Sequence, residues 1–296
     1  MKLVTYSVGG GSAQLGVVVD GKVINLAEAS GGRLPNDMRS FIEQGDSALN
    51  LAREIASKGS ANGTPESDVK IHAPISNSSK LIAIGLNYMD HVRETGSKVP
   101  QLAIMFTKYT TAIVGPGDEV RWDPAMTSKV DWEAELAVVI GKRASKVKEE
   151  DAFDYIFGYM NCNDVSARDL QTEKGDQWIM GKSLDTFAPL GPYLVTKDEI
   201  PDPNNLSIRC VVNGQVMQDS NTREMIFKIP YLIAYLSSGI TLLPGDIITT
   251  GTPDGVGMGR KPPVFLRNGD VMTVEIEGLG QLTNPCVEVP VGATAA

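Results

Sequence analysis

Two glutamates one residue apart, Glu133 and Glu135, stand at the head of the segment Val130-Asp131-Trp132-Glu133-Ala134-Glu135-Leu136-Ala137-Val138-Val139-Ile140-Gly141. In a strand, residues two apart share a face. Both carboxylates then project together, roughly 7 Å apart at Cα from the strand rise. Ala137 and Val139 continue that face, while Ala134, Leu136, Val138 and Ile140 fill the other. A strand that is apolar on both faces is buried on both. Two neighbouring carboxylates at its end repel each other and lose hydration, so they need a cation. Two readings are open: a metal ion, or an Arg or Lys partner. Asp164, in Asn161-Cys162-Asn163-Asp164-Val165-Ser166, offers a third carboxylate, although an Asp before a Ser is also a common helix cap. Three carboxylates without a nearby His or Cys select a hard, oxygen-seeking cation, Mg²⁺ or Mn²⁺ rather than Zn²⁺. Mg²⁺ is rarely caged by protein alone. Such a site keeps open positions, two of which a 2-oxo carboxylate can chelate.

A second group of residues has the types needed to move protons and hold oxyanions. His91 and Glu94, in Gly85-Leu86-Asn87-Tyr88-Met89-Asp90-His91-Val92-Arg93-Glu94, lie on one helix face at i,i+3 spacing. Glu94 could orient the imidazole and leave its other nitrogen to activate water; the plain alternative is a surface ion pair. His72, with no such partner, reads as structural. Lys182, in Gly181-Lys182-Ser183, could neutralise an oxyanion, or be a surface lysine. The run Thr249-Thr250-Gly251-Thr252-Pro253-Asp254-Gly255 ends a strand in a Gly-rich turn, whose N–H groups and Thr250 and Thr252 hydroxyls could hold a carboxylate. It is not a phosphate loop, because no Gly-Lys-Ser/Thr follows.

These side chains need elements to place them. Strands are expected over residues 81–85, 103–106, 133–140, 207–212, 246–250 and 271–276. Hairpins are expected at Asp20-Gly21 and Asn213-Gly214, since both pairs tolerate positive φ. Helices are expected near His91, over 149–156 and over 225–236, the last begun or kinked by Pro230. Residues 35–58 carry apolar residues at helical spacing. The small, polar stretch 59–67 is the natural boundary between a small N-terminal α/β domain (1–69) and a main domain (70–296). Strands neither alternate strictly with helices nor run purely in sequence, so a mixed α+β class is expected and a doubly wound sheet is disfavoured.

The chain has 296 residues and a net charge of −9, with no basic run, which argues against nucleic acid as a partner. Three widely spaced cysteines without a CxxC pair argue against a thiolate metal site or a disulfide framework. A reducing, cytoplasmic residence is expected from them. No apolar run reaches the ~20 residues of a membrane helix, so no membrane contact is expected.

Five separated segments, in this order and spacing, resemble the fumarylacetoacetate hydrolase family. They are Asn87-Tyr88 with His91 and Glu94; Glu133-Ala134-Glu135; Asn163-Asp164-Val165-Ser166-Ala167-Arg168-Asp169-Leu170-Gln171; Gly181-Lys182 with Asp185-Thr186; and Thr250-Gly251-Thr252-Pro253. The resemblance covers roughly residues 70–290. It departs at Tyr109, where relatives often have Pro. It implies a mixed β-roll or barrel-like core with short flanking helices, usually as a homodimer. It also implies Mg²⁺ or Mn²⁺ on Glu133, Glu135 and Asp164, a lid helix carrying His91 and Glu94, and the active-site lysine at Lys182. Arg168, Gln171 and Thr252 match positions lining the substrate site. The expected reaction is hydrolysis of an acylpyruvate-type β-diketo acid, as in aromatic catabolism. Decarboxylation of oxaloacetate and isomerisation of a 2-hydroxyhepta-2,4-diene-1,7-dioate are the alternatives on the same site. A non-catalytic, metal-dependent dicarboxylate binder is the alternative of another class.

Overall fold

In the computed structural model the structure describes residues 1–290. The central strand is β4, which we number with the strands around the site: β1 (Lys2–Ser7), β2 (Leu81–Gly85), β3 (Ile104–Lys108), β4 (Ala134–Ile140), β5 (Ile156–Asn163), β6 (Ala188–Thr196) and β7 (Ile247–Thr249). Every residue of β4 is buried. Ala134, Leu136, Val138 and Ile140 enter one apolar core, and Ala137 and Val139 enter another. The alternating small and branched side chains of β4 thus glue two layers together, as a doubly buried strand requires.

The main sheet runs from Thr64–Pro65 through Lys22–Asn25, Gln14–Val19, β1, β6, β5, β4, β7 and β2 to β3. Most neighbours are antiparallel; β7 and β2 pair in parallel. A five-stranded sheet (Gln215–Asn221, Ser207–Val212, Val271–Ile276, Gly280–Glu288 and Val120–Trp122) packs on the Leu136 side, together with the helix Ile229–Gly239. This is a mixed α+β fold with few, short helices. Both hairpins form where Asp20-Gly21 and Asn213-Gly214 place them, and Pro230 sits in the first turn of its helix.

Two expected helices differ. Residues 35–58 form two helices, Met38–Glu43 and Asp46–Ser57, because Gly45 takes a φ of 65° between them. Residues Glu149–Tyr155 make a 3₁₀ segment. The leading segment shares the main sheet: β1 pairs with β6, and the terminal amine bonds Thr196 at 2.6 Å. No helix among the described residues is long and apolar enough to cross a membrane.

Candidate active site and metal centre

The register of β4 and β5 builds the acidic cluster. Ala134 lies opposite Asn163, so Glu133 enters β4 where Asp164 leaves β5. The Asp164 N–H donates to the Glu133 carbonyl at 2.9 Å, and the Glu133 N–H to Asn163 Oδ1 at 3.0 Å. Glu135 follows two residues on, and its Oε2 accepts the Gly251 N–H at 2.9 Å. One oxygen from each of Glu133, Glu135 and Asp164 lies within 4.8 Å of the others, and all three residues are buried.

Four carboxylates, counting Asp131, meet three cations here: Arg168, Lys182 and Lys108. The surplus falls on Glu135, which has no Lys or Arg within ion-pair distance among the described residues. Burial, then the Asp164 and Glu133 charges, push its carboxyl well above the usual range. Burial also raises Glu133, but Lys182 and Arg168 outweigh it and hold that carboxyl below its ordinary value. An all-oxygen donor set with uncompensated repulsion fits a hard divalent cation.

The cations are held as tightly. Lys182 Nζ donates to Glu133 Oε2 and to Asp164 Oδ2, both at 2.8 Å. Burial alone would lower its pKa; the Asp164 and Glu133 charges reverse that and raise it, so it remains an ammonium. Its short helix, Ile179–Lys182, rests on the π-turn Asp169–Glu173, and only a glycine fits between: a Cβ on Gly181 would lie 2.5 Å from the Gln171 nitrogen. Arg168 gives Nε to Asp131 Oδ2 at 2.8 Å, and Nη1 to Glu133 Oε1 at 2.6 Å and Gln171 Oε1 at 3.0 Å. Its Nη2 is buried without a partner.

Lys108, which no sequence pattern singles out, is buried at the end of β3. Its Nζ donates to Asp164 Oδ1 at 2.5 Å and to the carbonyls of Val165 and Lys182. Burial lowers its pKa, against the pull of Asp164. In sequence it is one lysine after an apolar strand, and nothing marks it.

The helix α1 (Met89–Thr95) carries the dyad. Asn87 anchors its entry by donating to the Thr250 and Phe227 carbonyls and accepting the Phe227 N–H. His91 Nδ1 lies 3.0 Å from Glu94 Oε2, and Glu94 Oε1 accepts the Gly255 N–H at 2.9 Å. A carboxylate at Nδ1 fixes the proton there and leaves Nε2 as the basic nitrogen.

One cavity of about 290 Å³ gathers His91, Glu133, Glu135, Arg168, Lys182 and Thr252. Gln171 joins them, and Phe106 and Trp178 form an edge-to-face aromatic wall, 5.7 Å between centroids. Thr250 does not line the cavity, because its hydroxyl donates to the Leu136 carbonyl within the strand ladder, and Asp164 lies just outside the lining. Thr252 lines it while bonding Ala134 O and Gln218. Glu94 lies behind His91. His72 pairs with Ser7, away from the site, and Tyr109 is exposed outside the cavity wall.

A mixed sheet here gathers an acidic triad, a buried ammonium, a guanidinium and a His–Glu pair around one cavity, a set suited to a metal-dependent enzyme. Residues 80–287 match the family model described as fumarylacetoacetate (FAA) hydrolase, C-terminal. The chain is 52% identical over 268 residues to the mitochondrial oxaloacetate tautomerase of Xenopus laevis, covering 90% of this chain and 83% of that protein. It is 48% identical over 268 residues to a mitochondrial oxaloacetate tautomerase of Homo sapiens, covering 90% and 84%. Among solved structures, it matches the maleylpyruvate hydrolase of Sphingobium sp. SYK-6 in complex with manganese(II) and pyruvate. The TM-score is 0.79 at 30% identity, over 97% of this chain and 99% of that one. The chain belongs to the fumarylacetoacetate hydrolase family.

The cytoplasmic expectation is corrected by these relatives, since both tautomerases are mitochondrial proteins. The three cysteines are free and buried, which does not distinguish one reducing compartment from another.

Proposed function

We propose that this chain interconverts the keto and enol forms of oxaloacetate. The observation that carries the reading is the convergence of His91, backed by Glu94, with Arg168, whose buried Nη2 is unpartnered, on one cavity beside the acidic triad. Relatives at 48–52% identity are named for this reaction, which favours it over acylpyruvate hydrolysis. The hydrolytic reading has the maleylpyruvate hydrolase structure in its favour, at lower identity.

Glu133, Glu135 and Asp164 would hold Mg²⁺ or Mn²⁺. When bound, such a cation supplies Lewis-acid polarisation of a 2-oxo carboxylate. Arg168 Nη2, with Gln171 beside it, would receive the substrate's far carboxylate through its two uncommitted N–H groups, as charge-assisted hydrogen bonds. His91 Nε2 takes a proton from the carbon next to the carbonyl. That C–H electron pair becomes the C=C bond, and the carbonyl π pair moves onto oxygen. Glu94 steadies the imidazolium formed. Lys182 has three N–H donors, two of them engaged by Glu133 and Asp164; the third stabilises the developing oxyanion. The imidazolium then holds the proton that returns to this oxygen, so the net change is one proton moved and no carbon–carbon bond broken.

The test is to mix enol-oxaloacetate with the protein and Mn²⁺, following the enol's ultraviolet absorbance and pyruvate in parallel. Accelerated loss of the enol without pyruvate supports the tautomerase. Pyruvate formed in step with enol loss would replace it with decarboxylation, and turnover of acylpyruvates alone would replace it with hydrolysis.

A further inference from the structure

We propose that Asp131 is a positioning residue that couples the Arg168 guanidinium to the His91–Glu94 pair through the loop 254–259. The inference rests on the roles given above to Arg168 and His91. Asp131 ends the two-residue strand Val130–Asp131, paired with Ser166–Ala167, and has no exposed surface. Its carboxylate accepts four hydrogen bonds. Oδ1 takes the N–H groups of Trp132 at 2.8 Å and Gly257 at 2.7 Å. Oδ2 takes the Met258 N–H at 2.9 Å and Arg168 Nε at 2.8 Å. A buried carboxylate with this many donors is strongly anchored.

The network has two arms. In one, Asp131 at Nε and Glu133 with Gln171 at Nη1 fix the plane of the Arg168 fork, which decides where the unpartnered Nη2 points. In the other, Asp131 holds the loop by Gly257 and Met258. The adjacent Trp132 donates its indole N–H to the Gly255 carbonyl at 3.1 Å. The same Gly255 offers its own N–H to Glu94 Oε1 at 2.9 Å. Glu94 therefore owes its place to a loop that the 131–132 pair holds from below. One carboxylate sets both the group that receives the substrate's charge and the group that orients the base. A substrate carboxylate that draws on Arg168 is felt at Glu94 through bonds already made.

The test uses the full chain with Mn²⁺. Asp131→Asn keeps the size but replaces one acceptor oxygen with a donor, so it cannot satisfy both arms. The expected result has three parts. The KM for oxaloacetate rises, and kcat falls about tenfold or more, the scale of a misplaced catalytic group. Mn²⁺ affinity, read by electron paramagnetic resonance, stays within about twofold, because Asp131 is no part of the acidic triad. Amide exchange speeds up over both 254–260 and 89–95. In a Glu94→Gln background, the same substitution should lower kcat by less than about twofold more, since the residue acts through Glu94. Losses in kcat that multiply in that background would overturn the proposal, as would unchanged exchange over 89–95. If Asp131→Asn does not fold, Met258→Pro removes one loop donor while Met258→Ala keeps it. Met258 also lines the cavity, so the comparison is between the two variants: the Pro variant should be slower than the Ala variant, and equal rates would overturn the coupling. The exchange readout needs no turnover, so wild-type protein inactive on oxaloacetate would sink the proposed reaction and leave this inference separately decided.

Discussion

Glu135 is the carboxyl of the site left without a cation partner among the described residues, so burial and the Asp164 and Glu133 charges push it well above the usual range, while the cations around it are committed elsewhere. A divalent ion should therefore stabilise the fold. Titrating Mn²⁺ into chelated protein should raise the Tm progressively, as binding to the native state alone requires; a Tm that ignores Mn²⁺ would remove the metal site. Lys108 belongs to the same balance. Lys108→Met leaves Asp164 Oδ1 and two carbonyls without their donor, and breaking a buried pair costs about 3–5 kcal/mol. Urea melts without divalent ions should show that loss, partly recovered when Mn²⁺ takes over the neutralisation. At the Arg168 fork, Arg168→Lys keeps the charge and loses the planar donors, so KM for oxaloacetate should rise more than kcat falls. The acidic residues were legible in the sequence because two glutamates at i,i+2 headed a strand apolar on both faces. Lys108 and Asp131 were not, because their partners lie 56 and 126 residues away along the chain. No local pattern records such a pairing.

Among the elements, the β4–β5 register does most of the positioning. It brings Glu133 against Asp164 and leaves Glu135 on the loop that follows β7. The short helix bearing Lys182 is positioned by contact alone, which gives a sharp prediction. Alanine is favoured over glycine in a helix by about 1 kcal/mol, so Gly181→Ala would stabilise a helix with room to spare. Here the new Cβ would stand 2.5 Å from the Gln171 nitrogen and 2.6 Å from the Ala167 carbonyl. The variant should instead be less stable, and kcat/KM should fall by up to about 10²-fold as Lys182 shifts. A gain in Tm with unchanged activity would show that the contact yields freely. The six expected strands and both Gly turns were readable from period and turn chemistry, whereas β6 and Gly280–Glu288 were not among the strands expected. The split at Gly45 was not, because the apolar spacing runs on across it and only the backbone angle marks the break.

The leading segment is bound to the rest of the chain through one sheet. β1 lies against β6, and Leu3, Leu15 and Phe41 share a core with Ala137 and Leu190. We expect a chain beginning near residue 70 to lose cooperative unfolding, because it would bare that apolar face; a sharp, reversible melt of the truncated chain would show the two parts to be independent. The reaction is likewise a property of the whole cavity, since its groups come from β3, β4, α1, the short helix Ile179–Lys182 and the turns that follow β5 and β7. It is tested most directly by the exchange of the carbon-bound protons of oxaloacetate with solvent deuterium, followed by NMR with Mn²⁺ present and pyruvate monitored. Wild-type protein should speed deuterium entry next to the carbonyl without loss of carbon, and His91→Ala should lower that rate by about 10²–10⁴-fold. Deuterium entry no faster than in protein-free solution, or equally fast with the His91 variant, would contradict it.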